Sequence, residues 1–462
     1  MFAFNVTLTD PTGRLDSATQ ALIKGDLEGA LRWIGRYVQG QGSLELAAMG
    51  VSVGTTGYLA DADANAFPSV APLAGGGSLI AAGPAYELVT GSDPNGATPD
   101  FHVSLNVDLI GRYWFDPTPD DLSDGPPVGL IDFENVMVHE VLHALGFTGN
   151  QRDLNGNFAN LDRSPYDLAT RQDANGLWIY DSAAVRAANN GNPVPVDATH
   201  GLGSRWYHVD VPTDLLFWAA GSGVRRPLSD IDLAILHDNG IQSVTPDADS
   251  NIWFGNDTSD IVAGLAGDDH LFAMGGDDRL TGGTGNDLLD GGDGVDTAVY
   301  IATKAQVQIT GAAGNRTINS AQDGRDTVRN VEVFVFGDKT YFDLAGSDAT
   351  VGRLYGAAFA RAPDAAGLAV QLNALHQGLT PLQLAANFIA SAEFVVRYGA
   401  SPSDVAYVTA LYNNVLGRIP DQGGFNVQVD ALAHGTTRAQ LLLNFGDSPE
   451  NQAKVTSDWM LA

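Results

Sequence analysis

Apolar residues recur along this chain at two spacings, and each spacing marks a different kind of element. FAFNVTLTD, residues 2–10, alternates apolar and polar positions as a half-buried strand does. SLELAAMGVSV and FHVSLNVDLI read as strands too. Between the first two lies DSATQALIKGDLEGALRWIGRYV, which has helical spacing. Its apolar face is expected to carry Leu22, Leu27, Leu31, Ile34 and Val38, weakened by Gly25 and Gly29. FENVMVHEVLHALGF, residues 133–147, is a second helix. Asp132 is its N-cap, Glu134 sits in the first turn where a negative charge is favourable, and Gly146 is its stop.

Beyond residue 250 the period becomes nine. Residues 255–299 divide into GNDTSDIVA, GLAGDDHLF, AMGGDDRLT, GGTGNDLLD and GGDGVDTAV. The sixth position is always aspartate: Asp260, Asp269, Asp278, Asp287 and Asp296. The eighth is always apolar: Val262, Leu271, Leu280, Leu289 and Ala298. Each unit supplies a tight glycine turn and a short strand. If two units make one coil, Asp260, Asp278 and Asp296 line one edge of a flattened spiral, and Asp269 and Asp287 the other. Stacked carboxylates repel one another and call for a hard cation with oxygen ligands, which suits calcium.

Residues 301–345 read as a β-rich cap, and the rest of the chain as helices containing a duplication. LYGAAFARAPDAAGLAVQLNAL from Leu354 matches LYNNVLGRIPDQGGFNVQVDAL from Leu411. Phe388, Ser391 and Glu393 recur as Phe445, Ser448 and Glu450 at the same offset of 57 residues, which is 411 minus 354 and also 445 minus 388. Arg361 with Asp364, and Arg418 with Asp421, are expected to pair locally. Tyr355 and Tyr412 are expected to pack.

Composition narrows the function. The 462 residues include 24 Lys and Arg against 55 Asp and Glu, a net charge of −31. That excess argues against nucleic acid as a partner. There is no cysteine, so disulfides and cysteine-ligated zinc are excluded. No apolar run is long enough for a membrane span. The N-terminus lacks the basic leader and apolar core of a cleavable signal, and no leader resembling an inhibitory propeptide precedes the first strand.

The second helix carries the candidate chemistry. His139 and His143 are four residues apart and share a face, so two ring nitrogens can meet one cation. Glu140, one step round, can reach a water on the same metal and take its proton as general base. Around them stand Val136, Val138, Val141, Leu142 and Leu145, among which unpaired imidazoles are costly. This is the H-E-x-x-H arrangement.

HEVLHALGF resembles the metzincin metallopeptidases, and the chain looks most like the leishmanolysin-type and serralysin-like secreted members. The resemblance implies a zincin-like α+β catalytic domain over residues 1–245 and one catalytic zinc ion. It also implies a third ligand from the segment beginning at His200. His208, followed by TDLLF and LSDIDLAILHDNG, fits the family order best, with His200 and Asp210 as alternatives. Leu216 takes the place of the family's methionine. The strand FHVSLNVDLI is expected to pair with an extended polypeptide substrate.

The nonapeptides resemble RTX repeats, G-G-x-G-x-D-x-U-x. That resemblance implies a parallel β-roll holding several structural calcium ions over residues 251–345. It further implies an extracellular protein exported from a Gram-negative cell by a type I secretion apparatus. The C-terminal DWMLA resembles the terminal tail of such proteins. Residues 346–462 resemble DUF4214, an all-α module expected to cap or anchor, with a cell-surface or glycan ligand. The expectation is therefore a multidomain secreted zinc endopeptidase with Glu140 as its base. Its rivals are a non-catalytic RTX adhesin or surface-layer protein and a metal-dependent hydrolase acting on something other than peptides.

Overall fold

The computed structural model describes residues 2–54, 59–74, 76–119, 124–147, 158, 160–197, 208–212, 214–216 and 221–461. The chain divides into two compact units, Met1–Thr245 with Ile252–Phe254, and Pro246–Asn251 with Gly255–Ala462.

The first unit runs β1 (Ala3–Thr9), α1 (Ser17–Ile34), β2 (Ser43–Val51), β3 (Ala60–Ala64), β4 (Ser69–Pro72), β5 (Ser78–Ile80), α2 (Gly83–Thr90) and β6 (Phe101–Asn106). After a 3-10 turn come β7 (Tyr113–Trp114), β8 (Ile131–Asp132), α3 (Phe133–Ala144), α4 (Pro165–Ala169), β9 (Thr170–Gln172), β10 (Trp178–Tyr180), α5 (Ala183–Ala188), β11 (Val194–Pro195) and α6 (Asp230–Asp238), with β12 (Ile252–Phe254) following. The main sheet has the order β1-β2-β6-β3. The first three strands are parallel, and β3 is antiparallel to β6. Leu44, Leu46 and Ala48 of β2 and Phe101, Val103 and Leu105 of β6 alternate into the core. Helices α1 and α3 pack against each other, α1 also on β1 and α3 on β3.

Two expectations are corrected here. The buried stripe of α1 is Ile23, Leu27, Ala30, Leu31 and Ile34, whereas Leu22 is 44% exposed. Ile23, Leu27, Ala30 and Ile34 follow steps of four, three and four, and Leu22 lies one position off that line. Val38 lies beyond the helix, buried in a bridge to Ser243. The FHVSLNVDLI strand, β6, is bonded on both sides by β2 and β3 and has no free edge for a substrate; β3 is the terminal strand.

The second unit continues with β13 (Ile261–Ala266), β14 (His270–Phe272), β15 (Arg279–Thr284), β16 (Leu288–Asp290), β17 (Thr297–Val299), β18 (Gln308–Ala312), β19 (Asn315–Ser320), β20 (Gly324–Arg329), β21 (Val333–Val335) and β22 (Thr340–Phe342). β13, β15, β17 and β21 form one parallel run, and β14, β16 and β20 another. Ile261 faces Arg279 and Arg279 faces Thr297, a step of 18 residues, so one coil is two nonapeptides. The eighth-position residues Leu271, Leu280, Leu289 and Ala298 are fully buried between the sheets. Antiparallel strands β18, β19 and β22 finish the two sheets.

Eight helices follow: α7 (Gly346–Phe359), α8 (Ala365–His376), α9 (Pro381–Ala390), α10 (Ala392–Tyr398), α11 (Asp404–Asn414), α12 (Gln422–Ala433), α13 (Arg438–Gly446) and α14 (Pro449–Asp458). The duplication repeats in three dimensions. Tyr355 packs edge-on to Phe388 at 5.0 Å between ring centres, and Tyr412 to Phe445 at 5.1 Å. Arg361 lies 3.4 Å from Asp364 and Arg418 3.7 Å from Asp421. The tighter partners are distant in sequence: Arg361 meets Glu393, and Arg418 meets Glu450, each at 2.8 and 3.1 Å. Asp364 and Asp421 serve instead as N-caps of α8 and α12. Roll and helices share a core in which Val295, Val333 and Phe342 join Val351, Leu354 and Leu411. Trp459, Met460 and Leu461 of the terminal DWMLA are buried, with Met460 bridged in parallel to Phe342.

Candidate metal centre

Helix α3 begins where its sequence says. The Asp132 side chain accepts a hydrogen bond from the N–H of Asn135, which caps the first turn. Asp132 is itself held by Arg225, whose Nε is 2.6 Å away. The same guanidinium reaches Asp116 at 2.8 Å and Glu134 at 3.2 Å, all inside the protein. Burial, and then the charge of Glu134, pushes nearby Asp26 up to about 8, so Asp26 is largely neutral at pH 7. The helix ends at Gly146, whose φ of 134° few other residues adopt and whose added Cβ would sit 2.5 Å from the Asn239 side chain.

His139 and His143 of α3 are joined by His208 from a distant loop. Nε2 of His139 is 3.0 Å from Nε2 of His208 and 3.1 Å from Nε2 of His143. The third edge, His143 to His208, is 3.2 Å. Nδ1 of His139 lies 2.8 Å from the carbonyl oxygen of Leu215, and Nδ1 of His143 lies 3.0 Å from that of Phe147. A carbonyl only accepts, so both Nδ1 atoms carry the proton and both Nε2 atoms present a lone pair. Burial, and then the neighbouring rings, pushes His139 down to about 3 and His143 well below its ordinary value. Facing lone pairs repel unless a cation lies between them. Three nitrogens at about 2.0–2.1 Å from one tetrahedral zinc ion are about 3.3 Å apart, close to the triangle found here. The donor set therefore fits zinc.

Glu140 is 7% exposed. Burial, and then the charges of Asp61 and Asp63 on β3, pushes its carboxyl up to about 8, while the N–H of Ala62 pulls it down. A cation held by the histidines acts in the same downward direction. The 214–216 turn is tied by Leu216 N–H donating to Asp214 at 2.9 Å and by Ser229 Oγ donating to Asp214 at 2.7 Å. Leu216 is fully buried. Of the alternatives for the third position, Asp210 is exposed and outside the cluster, and His200 falls outside the described residues. His102, His237, His270, His376 and His434 take no part in it.

In the roll four of the five repeat aspartates tie one coil to the next through one carboxylate oxygen. One oxygen of Asp278 accepts the N–H of Asp260, one of Asp296 that of Asp278, and one of Asp287 that of Asp269. Asp269 accepts the N–H of Asn251. The second oxygen of Asp269, Asp278, Asp287 and Asp296 is buried with no hydrogen-bond partner, as a cation ligand should be. Half-buried Asp260 stands at the rim, accepting from Asn256 N–H. Asp326 and Glu332 continue the two ladders beyond the nonapeptides by accepting from Asp287 and Asp296. Neither lies in a repeat, so the period could not reveal them. Burial pushes Asp269 and Asp278 up to about 6, Asp326 and Glu332 to about 7 and Asp296 to about 8.

Comparison with known proteins agrees with the second unit. Residues 254–289 and 272–298 match the RTX calcium-binding nonapeptide repeat. Residues 385–455 match DUF4214, a domain of unknown function. No curated protein sequence matches the chain. Among solved structures, the extracellular lipase LipA from Serratia marcescens is similar at 21% identity and a TM-score of 0.18, over 19% of this chain and 14% of the lipase. No helix among the described residues is long and apolar enough to cross a membrane. The repeats are calcium-binding RTX units and indicate an extracellular protein of the type I secretion route.

Proposed function

We propose that the first unit is a zinc-dependent endopeptidase and that the second is its calcium-stabilised export and anchoring module. The observation that carries the reading is the triangle of Nε2 atoms, 3.0 to 3.2 Å on a side, one residue along the helix from Glu140. Zinc bound there supplies an acidified water and a Lewis acid for a substrate carbonyl. His139, His143 and His208 would hold it. The carbonyls of Leu215 and Phe147 keep two of those rings in the ligating tautomer. Glu140 would act as general base, taking a proton from water and returning it to the leaving amine. Strand β3, whose Ala62 N–H serves Glu140, is the terminal strand among the described residues and offers the edge along which an extended polypeptide can add.

The reading is tested on purified full-length protein. One zinc per chain is expected, together with casein cleavage that is lost in Glu140→Ala. One zinc per chain with no turnover of any polypeptide would favour a second reading, a non-catalytic RTX adhesin or surface-layer protein. Leu216 in the methionine position, and family matches of which neither is a peptidase, support that alternative. Turnover of small amides or esters but not of proteins would favour a different metal-dependent hydrolase.

A further inference from the structure

Three carboxylates from separate parts of the first unit converge away from the histidines. Glu45 comes from β2, Glu87 from α2 and Asp100 from the residue before β6. One oxygen of each lies within 4.8 Å of the other two. Glu87 is 4% exposed and Asp100 is fully buried. Each has one oxygen committed to the backbone: Asp100 Oδ2 accepts from Glu45 N–H at 2.6 Å, and Glu87 Oε1 from Ser43 N–H at 3.0 Å. The remaining oxygens, Glu87 Oε2 and Asp100 Oδ1, are buried with no N–H or O–H donor, and the Asp100 carboxyl is close enough to interact with both glutamates. No lysine or arginine among the described residues ion-pairs with any of the three. A Cβ on Gly42 would stand 2.3 Å from Glu87 Cγ, so the chain gives up a side chain to admit Glu87 here.

Burial, and then the charge of Asp100, pushes Glu87 up to about 7, so protons held among the three carboxyls are one partner for these oxygens. A cation that takes oxygen ligands is the other, and it relieves the mutual repulsion of three ionised groups. Calcium bonds carboxylate oxygens at about 2.3–2.6 Å, so oxygens up to about 4.8 Å apart can share one ion. We propose that Glu45, Glu87 and Asp100 form a calcium site, separate from the RTX roll, that clamps β2, α2 and the start of β6. Half-buried Glu45 leaves solvent access for completing the shell with water. The site makes folding of the first unit respond to the same extracellular ion as the roll. It is independent of zinc and of peptidase activity.

The test uses the full chain, stripped of calcium and then reloaded, and follows amide exchange by mass spectrometry. In the native protein, calcium should raise protection at residues 41–46, 83–91 and 98–103 by about tenfold or more. Glu87→Gln with Asp100→Asn should abolish that local response, bind one fewer calcium per chain and leave the response of residues 255–335 intact. Glu45→Gln, which alters only the half-exposed ligand, should weaken one calcium by about tenfold and keeps the test decisive if the double variant does not fold. The proposal is overturned if the three segments respond to calcium equally in native and substituted chains with unchanged calcium content. It is equally overturned if they ignore calcium altogether, in which case the carboxyls share protons instead.

Discussion

The N–H of His139 Nδ1 donates to the carbonyl oxygen of Leu215, 2.8 Å away, across 76 residues of chain. This bond orients the ring and frees its Nε2, and it comes from the residue before Leu216 in a turn tied to Asp214. The turn that follows His208 thus also prepares His139.

His208→Ala should lower zinc affinity by more than the roughly 10–100-fold that loss of an outer-shell partner costs. Competition against a calibrated chelator measures it. Retention of zinc at native affinity would remove His208 from the shell.

Glu140→Gln should keep zinc and fold while losing about 10²–10⁴ in kcat, the usual scale for removing a general base. Zinc content and peptide cleavage on the same sample separate the two effects. Native turnover in this variant would end the assignment of Glu140 as base.

Without calcium the roll should respond to pH in the sense opposite to most proteins. Asp269, Asp278, Asp326, Glu332 and Asp296 have folded values of about 6 to 8, above those of an unfolded chain. The folded state therefore binds the extra protons, and stability falls as pH rises from about 4 to about 8. Melting followed by circular dichroism in EDTA should show a lower Tm at pH 8 than at pH 5. Added calcium should raise Tm most at pH 8. A Tm in EDTA that is flat or rises over that interval contradicts the ladder.

Gly292→Ala should destabilise the second unit by about 3 kcal/mol, combining left-handed strain with overpacking. Gly292 has φ of 89°, and its Cβ would come within 2.0 Å of the Met274 carbonyl oxygen one coil away. Gly314→Ala, at φ of 73° with nothing within 4 Å of the added carbon, is the control and should cost about 1 kcal/mol. Equal losses in chemical denaturation would show that coil spacing is not the constraint.

Arg225→Met should cost the first unit about 3–5 kcal/mol at pH 7, since it leaves Asp116, Asp132 and Glu134 buried without their cation. Urea unfolding of the native and substituted chains at pH 7 reads the loss, and equal stability would show that the arginine does not hold the three acids.

Much of this molecule was legible because its information is local or periodic. A four-residue step puts His139 and His143 on one helix face whatever surrounds the helix. A nine-residue period with glycine turns stacks aspartates 18 residues apart because each coil must repeat the last. The 57-residue duplication carried its own proof of a repeated helical unit. Even locally the pattern had limits: one position separates exposed Leu22 from buried Ile23, and only packing tells them apart.

What the chain alone left open was which distant groups meet. Family order favoured His208 over His200 and Asp210, but only the fold brought it to 3.0 Å from His139. The carbonyls of Leu215 and Phe147 leave no trace in a sequence, because every residue has one. Asp326 and Glu332 end the ladders without belonging to the period. Glu45, Glu87 and Asp100 belong to no motif, and β6 lost its free edge only when β3 paired with it. Spacing along the backbone constrains neighbours within a turn or a coil. Contacts across tens of residues depend on how sheets and helices pack, and that is decided by the whole chain at once.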